Sequence, residues 1–177
     1  RTATTFTVTY DTPCPAEPVG AFAVSCHPAG GASFTQAPLK ADAEITGHPI
    51  ADLWITSSAP DANLYVFLED VAPDGTVSVV TDGRQKASLR KLNPAPWPLL
   101  DLPWHRSWKE DAVDLKPGEP AQVTFDLLAA SYVFKAGHRI QITVAGADYR
   151  ERAQPRLTPA PTLTVLARSS VSLPVVR

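Results

Sequence analysis

The chain has 177 residues with a net charge of −2, and 44% of its residues are hydrophobic, which suits a folded domain with its own core and argues against disorder. The basic residues are scattered, and no apolar run approaches the roughly 20 residues of a membrane-spanning helix, so we expect neither a nucleic-acid partner nor a membrane partner. Methionine is absent and the first residue is Arg1, so we expect the chain to be part of a longer protein.

The N-terminal fifth begins with a strand-like alternation, in which Phe6 and Val8 alternate with threonines, and it also holds both cysteines. A disulfide between Cys14 and Cys26 would close a short loop, and two unpaired thiols are the alternative. The two cysteines lack the further ligands that a zinc site needs, so we expect no metal there.

The rest of the chain contains several segments in which apolar and polar residues alternate, a pattern that predicts half-buried strands. These segments are 51–56, 64–71, 77–81, 121–128, 132–134 and 139–145. Asp74 and Gly75 separate two of them and predict a hairpin, and Gly137 is expected to supply a positive φ before the last one. Many short strands without a helix predict an all-β fold, a jelly-roll β-sandwich that forms one domain over residues 1–177.

One segment, residues 93–108 (NPAPWPLLDLPWHRSW), interrupts this pattern, and we call it the tryptophan loop. It holds Trp97, Trp104 and Trp108 together with His105, and its prolines exclude a regular ladder. Three interpretations are open: the indoles close the end of the core, they dock onto another domain, or they stack on carbohydrate. Trp54, the fourth tryptophan, stands on the polar side of its strand.

Ser131, His138 and Asp148 lie within eighteen residues and raise the possibility of a catalytic triad. A hydrolase on an α/β scaffold would carry a G-x-S-x-G motif on a strand-to-helix turn, and the chain has neither that motif nor a βαβ pattern. We therefore expect His138 to be structural, with a partly buried ring that hydrogen-bonds the backbone at a tight turn.

The acidic residues near the turns are assigned to turn and loop roles. Asp70, Asp74 and Asp82 frame the hairpin, and calcium would need six or more converging oxygens, so plain turn chemistry is preferred. Glu110, Asp111 and Asp114 are expected to lie in a solvated loop.

Several segments of the chain, in the same order along the sequence, resemble the C-terminal domain of the X-Pro dipeptidyl-peptidase and cocaine-esterase-like serine hydrolases. The matching segments are 38–90, 102–106, 117–128, 131–148 and 172–176. The resemblance implies a galactose-binding-like jelly roll without catalytic residues, metal or cofactor. It also implies that the partner is a catalytic α/β-hydrolase domain of the same parent chain, and that the parent could form a homo-oligomer.

The chain departs from this family's pattern at one motif, which usually reads G-x-L-R-A-S-H-R. In residues 83–90 Leu89 replaces the histidine and Lys86 replaces the first arginine. Any contact that these side chains make with a catalytic domain in relatives is therefore altered in this chain.

The resemblance leads to a hypothesis about which side chains meet the catalytic domain. The candidate docking residues are Trp54, Arg90, Trp97, Trp104, His105 and Trp108. The alternative functions are a stand-alone carbohydrate-binding module and a self-contained enzyme that uses Ser131, His138 and Asp148.

Overall fold

The computed structural model describes residues 2–10, 31–148 and 155–176. Cys14 and Cys26, and with them the question of a disulfide, lie outside the described residues. Within those residues the chain forms eleven strands and two short 3₁₀ turns. None of the described helical turns is long and apolar enough to cross a membrane.

The strands lie close to the segments that alternation predicts, and four further short strands were not predicted: β2, β3, β10 and β11. The bounds are β1 Thr4–Thr7, β2 Ala32–Thr35, β3 Ala43–Gly47, β4 Ile50–Ser57, β5 Asn63–Val71, β6 Val77–Lys86, β7 Ala121–Asp126, β8 Ala130–Phe134, β9 Arg139–Ala145, β10 Thr162–Val165 and β11 Ser170–Ser172. The 3₁₀ turns are Ala87–Leu89 and Lys109–Asp111.

A five-stranded antiparallel sheet is built around β4. One edge of β4 pairs with every residue of β7, from Ile55 opposite Ala121 to Ile50 opposite Asp126. The other edge is shared, since β10 pairs with one half of β4 and β11 with the other half. Strand β1 continues the sheet beyond β10.

A second sheet has four strands in the order β2-β9-β5-β6. Its β5–β6 hairpin turns at Asp74 and Gly75, as the sequence predicts: Gly75 has a φ of 88°, and the Thr76 N–H donates to Asp74 Oδ1 at 2.9 Å. Strands β3 and β8 form a separate two-stranded ladder, which Val175 extends by a bridge to Ile45.

The two sheets enclose one apolar core, which confirms the predicted β-sandwich. The alternate residues of β4 that face inward, among them Leu53 and Ile55, pack with Val66 and Leu68 of β5 and with Val123 of β7. All five are almost inaccessible to solvent. The jelly-roll connectivity and the galactose-binding-like relationship stay predictions.

Gly83 of β6 lies where the second sheet meets the end of β7, and we expect its replacement by alanine to destabilise the fold. A Cβ there would stand 2.7 Å from the Asp126 carbonyl oxygen and 2.8 Å from the Leu127 Cα. Because both contacts are backbone, Gly83→Ala should lower the free energy of unfolding by about 1–3 kcal/mol. Urea denaturation measures this loss. Ser78→Ala on the exposed face of the same strand is the control, and equal stability of the two variants would contradict the prediction.

Candidate docking surface

The two ends of the tryptophan loop are fastened to each other. The Asn93 N–H donates to the Trp104 carbonyl oxygen at 2.9 Å, and the Arg106 N–H donates to Asn93 Oδ1 at 3.1 Å. Trp97 packs its ring against the edge of Trp104, with centroids 5.0 Å apart. Such closure, with side chains of the loop packed on each other, is typical of an Ω-loop, a compact element that often carries function.

A buried carboxylate anchors the loop to the segment that follows it. Asp111 is only 1% exposed and receives three charge-assisted hydrogen bonds: from Arg106 Nε at 2.6 Å, from Arg106 Nη2 at 2.7 Å and from Lys91 Nζ at 2.9 Å. The sequence prediction of a solvated loop at Asp111 is therefore wrong, because no local pattern reveals that Lys91, twenty residues earlier, shares this carboxylate.

The cations around Asp111 set its protonation behaviour and the position of a tryptophan. The hydrogen bonds from Arg106 and Lys91 hold the pKa of the Asp111 carboxyl well below its usual range. The Arg106 guanidinium also lies over the Trp108 ring, 4.4 Å from its centroid. One arginine therefore links the buried acid to an exposed indole.

His105 and Arg90, both predicted docking residues, make hydrogen bonds within the domain. His105 places Nε2 at 2.8 Å from the Thr124 carbonyl oxygen of β7 and Nδ1 at 3.1 Å from the Lys91 carbonyl oxygen. Arg90 Nη1 donates to the carbonyl oxygens of Ala87, at 3.0 Å, and of Val113, at 2.6 Å. His105 therefore attaches the loop to β7, whereas Arg90 joins the segments that precede and follow the loop.

Apolar side chains on and beside the loop face solvent. Trp97 is 53% exposed, Trp108 is 59% exposed and Leu100 is 85% exposed. Leu100 and Asp101 at the loop tip have φ values of 53° and 58°, a left-handed conformation that costs about 1–2 kcal/mol per residue for non-glycine residues. Because Trp97 and Trp108 are exposed, they do not close the core of the described part of the chain.

Trp54 lies outside the tryptophan loop and is not among its exposed apolar side chains. It projects from the outer face of β4, and the Arg168 guanidinium lies 3.4 Å from its ring centroid. Trp54 and Trp108 thus each have an arginine over one ring face, and Trp97 and Trp104 meet at 66°. A sugar would have to stack on the remaining indole faces, and carbohydrate binding stays an alternative prediction.

His138 is partly buried and forms part of a cluster around the buried Asp70 that the sequence did not predict. Its Nδ1 donates to Asp70, 2.8 Å from Oδ1 and 3.0 Å from Oδ2, and the Tyr132 hydroxyl donates to Asp70 Oδ2 at 2.8 Å. We expected the ring to bond the backbone, and it bonds this side chain instead. Burial and the bond to Asp70 raise the pKa of Tyr132 to about 12. Gly137 has a φ of 84°, the positive value that the turn was expected to need.

The three residues considered for a triad have separate surroundings. Ser131 Oγ is 3.1 Å from Thr46 Oγ1 on the neighbouring strand, and Asp70 is the carboxylate that holds His138. Asp148 is itself almost completely buried. The described geometry therefore offers no nucleophile to the His138 ring.

Comparison with known proteins gives one consistent family. The family model described as X-Pro dipeptidyl-peptidase C-terminal non-catalytic domain matches residues 17–170. A Mycobacterium bovis protein, whose name proposes a serine esterase, is 41% identical over 152 residues, which are 82% of this chain and 24% of the relative. Cocaine esterase from Rhodococcus is 32% identical over 108 residues, which are 60% of this chain and 16% of that enzyme.

Solved structures share the fold at lower identity. A CocE/NonD family hydrolase from Staphylococcus aureus has a TM-score of 0.71 at 18% identity, over 98% of this chain and 32% of that one. An α-amino acid ester hydrolase has a TM-score of 0.63 at 21% identity, over 82% of this chain and 25% of that one. The chain spans about a quarter of the length of the curated relative with 41% identity.

Asp111→Asn is expected to loosen the tryptophan loop, because the amide cannot pair with two cations. The three indoles should become more solvated, so the tryptophan emission should shift to longer wavelength and proteases should cleave between Asn93 and Trp108. Fluorescence and limited proteolysis measure these changes. Glu110→Gln at the exposed neighbouring position is the matched control, and identical behaviour of the two variants would refute the anchoring role.

The same anchor predicts an acid-induced change. The folded-state pKa of Asp111 lies below its usual value of about 3.9, so its stabilising contribution is complete above that value and is lost as the pH falls below it. The unaltered chain should therefore show the emission shift on acidification below about pH 4. Asp111→Asn should already be shifted at neutral pH.

His138→Ala is expected to lower the free energy of unfolding by about 1–3 kcal/mol, because Asp70 stays buried with one donor fewer. Tyr132→Phe removes the other donor to the same carboxylate. The two losses should not be additive, because both side chains act on Asp70. Thermal or urea denaturation of the two single variants and the double variant measures the coupling. Unchanged stability of His138→Ala would contradict the structural role of His138.

Proposed function

Because this chain belongs to the family of X-Pro dipeptidyl-peptidase C-terminal non-catalytic domains, we propose that it docks onto the catalytic domain of a serine hydrolase through its tryptophan loop. The observation that carries this proposal is the exposed apolar tip. Leu100 is 85% exposed and is held in a left-handed conformation. A strained, solvated leucine lowers the stability of the isolated chain, and burial against a partner would offset that cost.

The anchored backbone of the loop supports the same proposal. Association loses less conformational entropy when the contacting segment is already ordered. The Asp111 anchor, the hydrogen bonds of His105 to Thr124 and Lys91, and the ring contact between Trp97 and Trp104 order this loop before any partner is present. Tryptophans and arginines are also the residues that most often dominate interface energies, and Trp108 and Arg106 adjoin each other here.

The names of the relatives suggest what the parent enzyme does. Cocaine esterase and the Xaa-Pro dipeptidyl-peptidase of Lacticaseibacillus casei cleave, by their names, an ester and a peptide bond. We infer that the parent hydrolyses esters or amides with a serine nucleophile in its α/β-hydrolase domain. The sandwich would bury about 600–1,500 Å² against that domain and contribute part of the wall of the substrate cleft.

Leu100→Ala tests the docking in the full-length enzyme. If the loop tip is buried against the catalytic domain, the substitution should weaken the domain contact by about 1–2 kcal/mol. It should lower the melting temperature, speed proteolytic separation of the two domains and change kcat/KM. The same substitution in the isolated 177-residue chain should leave the melting temperature unchanged, because Leu100 has little to contact there.

Leu128→Ala is the matched control, since Leu128 is also an exposed leucine, but it lies on the turn between β7 and β8. We expect no difference between isolated and full-length protein for this control. If Leu100→Ala and Leu128→Ala behave alike in the full-length enzyme, the tryptophan loop is not the docking surface.

A further inference from the structure

An open cleft of about 470 Å³ lies between the two sheets, at the edge where β2 ends and β10 gives way to β11. Its floor consists of buried core residues of both sheets, including Leu53, Val144 and Val165. Its walls are the half-exposed Phe34, Ile142 and Val171. The volume is within the range of about 300–1,000 Å³ found for small-molecule sites.

Phe34 shows that the sandwich is open at this edge. It pairs with Ile142, which in turn pairs with Leu68, and directly paired residues project from the same face of a sheet. Leu68 on that face is fully buried, whereas Phe34 is 37% exposed. A core-facing phenylalanine that solvent reaches leaves apolar surface unburied, and this surface is available to a ligand.

The rim of the cleft is a turn that interrupts strand pairing along one edge of β4. Between β10 and β11 the chain leaves the ladder for four residues, and Ser169 substitutes for the missing partner of β4. The Trp54 N–H donates to Ser169 Oγ at 2.9 Å, and the Trp54 carbonyl oxygen accepts from the Leu166 N–H at 2.8 Å and from the Ser169 hydroxyl at 3.1 Å. Both backbone groups of Trp54 on this edge are therefore hydrogen-bonded although no strand pairs with them.

The described lining is uncharged. Its polar members are threonine, serine and glutamine side chains at the mouth, such as Thr4, Gln36 and Ser170, and its interior is apolar. An ionic ligand would lose hydration there without gaining a counter-charge. We propose that this cleft binds a neutral small molecule with an aliphatic chain, whose polar end meets the hydroxyl and amide groups at the mouth. This site is separate from the tryptophan loop and does not depend on the docking proposal.

Three six-carbon probes test the site on the 177-residue chain: 1-hexanol, hexanoate and hexylammonium. They share the same alkyl chain and differ in charge. Hexanol should bind with a dissociation constant on the order of 1 mM, and the two ions should bind at least about tenfold more weakly. Methyl chemical shifts in NMR titrations measure the affinities. Equal affinity for all three, or no hexanol binding, would overturn the proposal.

Val171→Phe locates the site, because the larger ring fills the cleft. It should weaken hexanol binding about tenfold or more, while Val133→Phe, at an exposed valine of β8, should leave it unchanged. If Val171→Phe does not fold, intermolecular NOEs between the hexanol methyl group and the methyl groups of Ile142 and Val144 in the unaltered chain decide the question. Hexanol binding without these NOEs, or undiminished by a folded Val171→Phe, would place the ligand elsewhere and refute the assignment.

Discussion

Strand β4 makes hydrogen bonds along both of its edges, and the two surfaces of interest depend on this constraint. The backbone N–H and C=O groups of a buried central strand must all find partners. On one edge β7 supplies them, and the Thr124 carbonyl oxygen on the far side of β7 then meets His105 of the tryptophan loop. On the other edge β10 and β11 supply them in turn, and the gap between these strands, bridged by Ser169 at Trp54, becomes the rim of the cleft. The loop and the cleft are therefore both positioned by one strand.

Two buried carboxylates, Asp111 and Asp70, add side-chain contacts to those that the backbone ladders make. Asp111 organises a stretch with few regular backbone bonds, through Arg106 and Lys91. Asp70, near the end of β5, joins Tyr132 of β8 and His138, the residue before β9. Removing a carboxylate from water is unfavourable unless charged or hydrogen-bonding partners replace the lost hydration. Each acid therefore tolerates one arrangement of its partners and discriminates against others, which suits a loop that must hold a defined shape.

The tryptophan loop and the cleft expose apolar surface for different reasons. At the loop, ordered backbone presents Leu100 and Trp97 outward, a geometry suited to a large, flat partner such as another domain. At the cleft, the two sheets separate around Phe34 and leave a concave space with uncharged walls, a geometry suited to a small molecule. Membership in a family of non-catalytic domains is compatible with the docking role that we propose for the first surface, and it says nothing about the second.

Local periodicity determined most of the strands, because alternation and turn residues act over a few neighbouring positions: the β5–β6 hairpin at Asp74 and Gly75 follows directly from the sequence. The strands β10 and β11 alternate over only four and three residues, too few for a local signal, and each pairs with one half of the same edge of β4. The exposure of Trp97 and the burial of Asp111 were likewise decided in three dimensions. The residue type alone does not predict whether a tryptophan or an aspartate is buried. The cations that neutralise Asp111 belong to residues five and twenty positions away in the sequence. The sequence by itself determined an all-β sandwich and its family, and only the tertiary structure decided which side chains meet, since pairing over long separations depends on how the sheets pack.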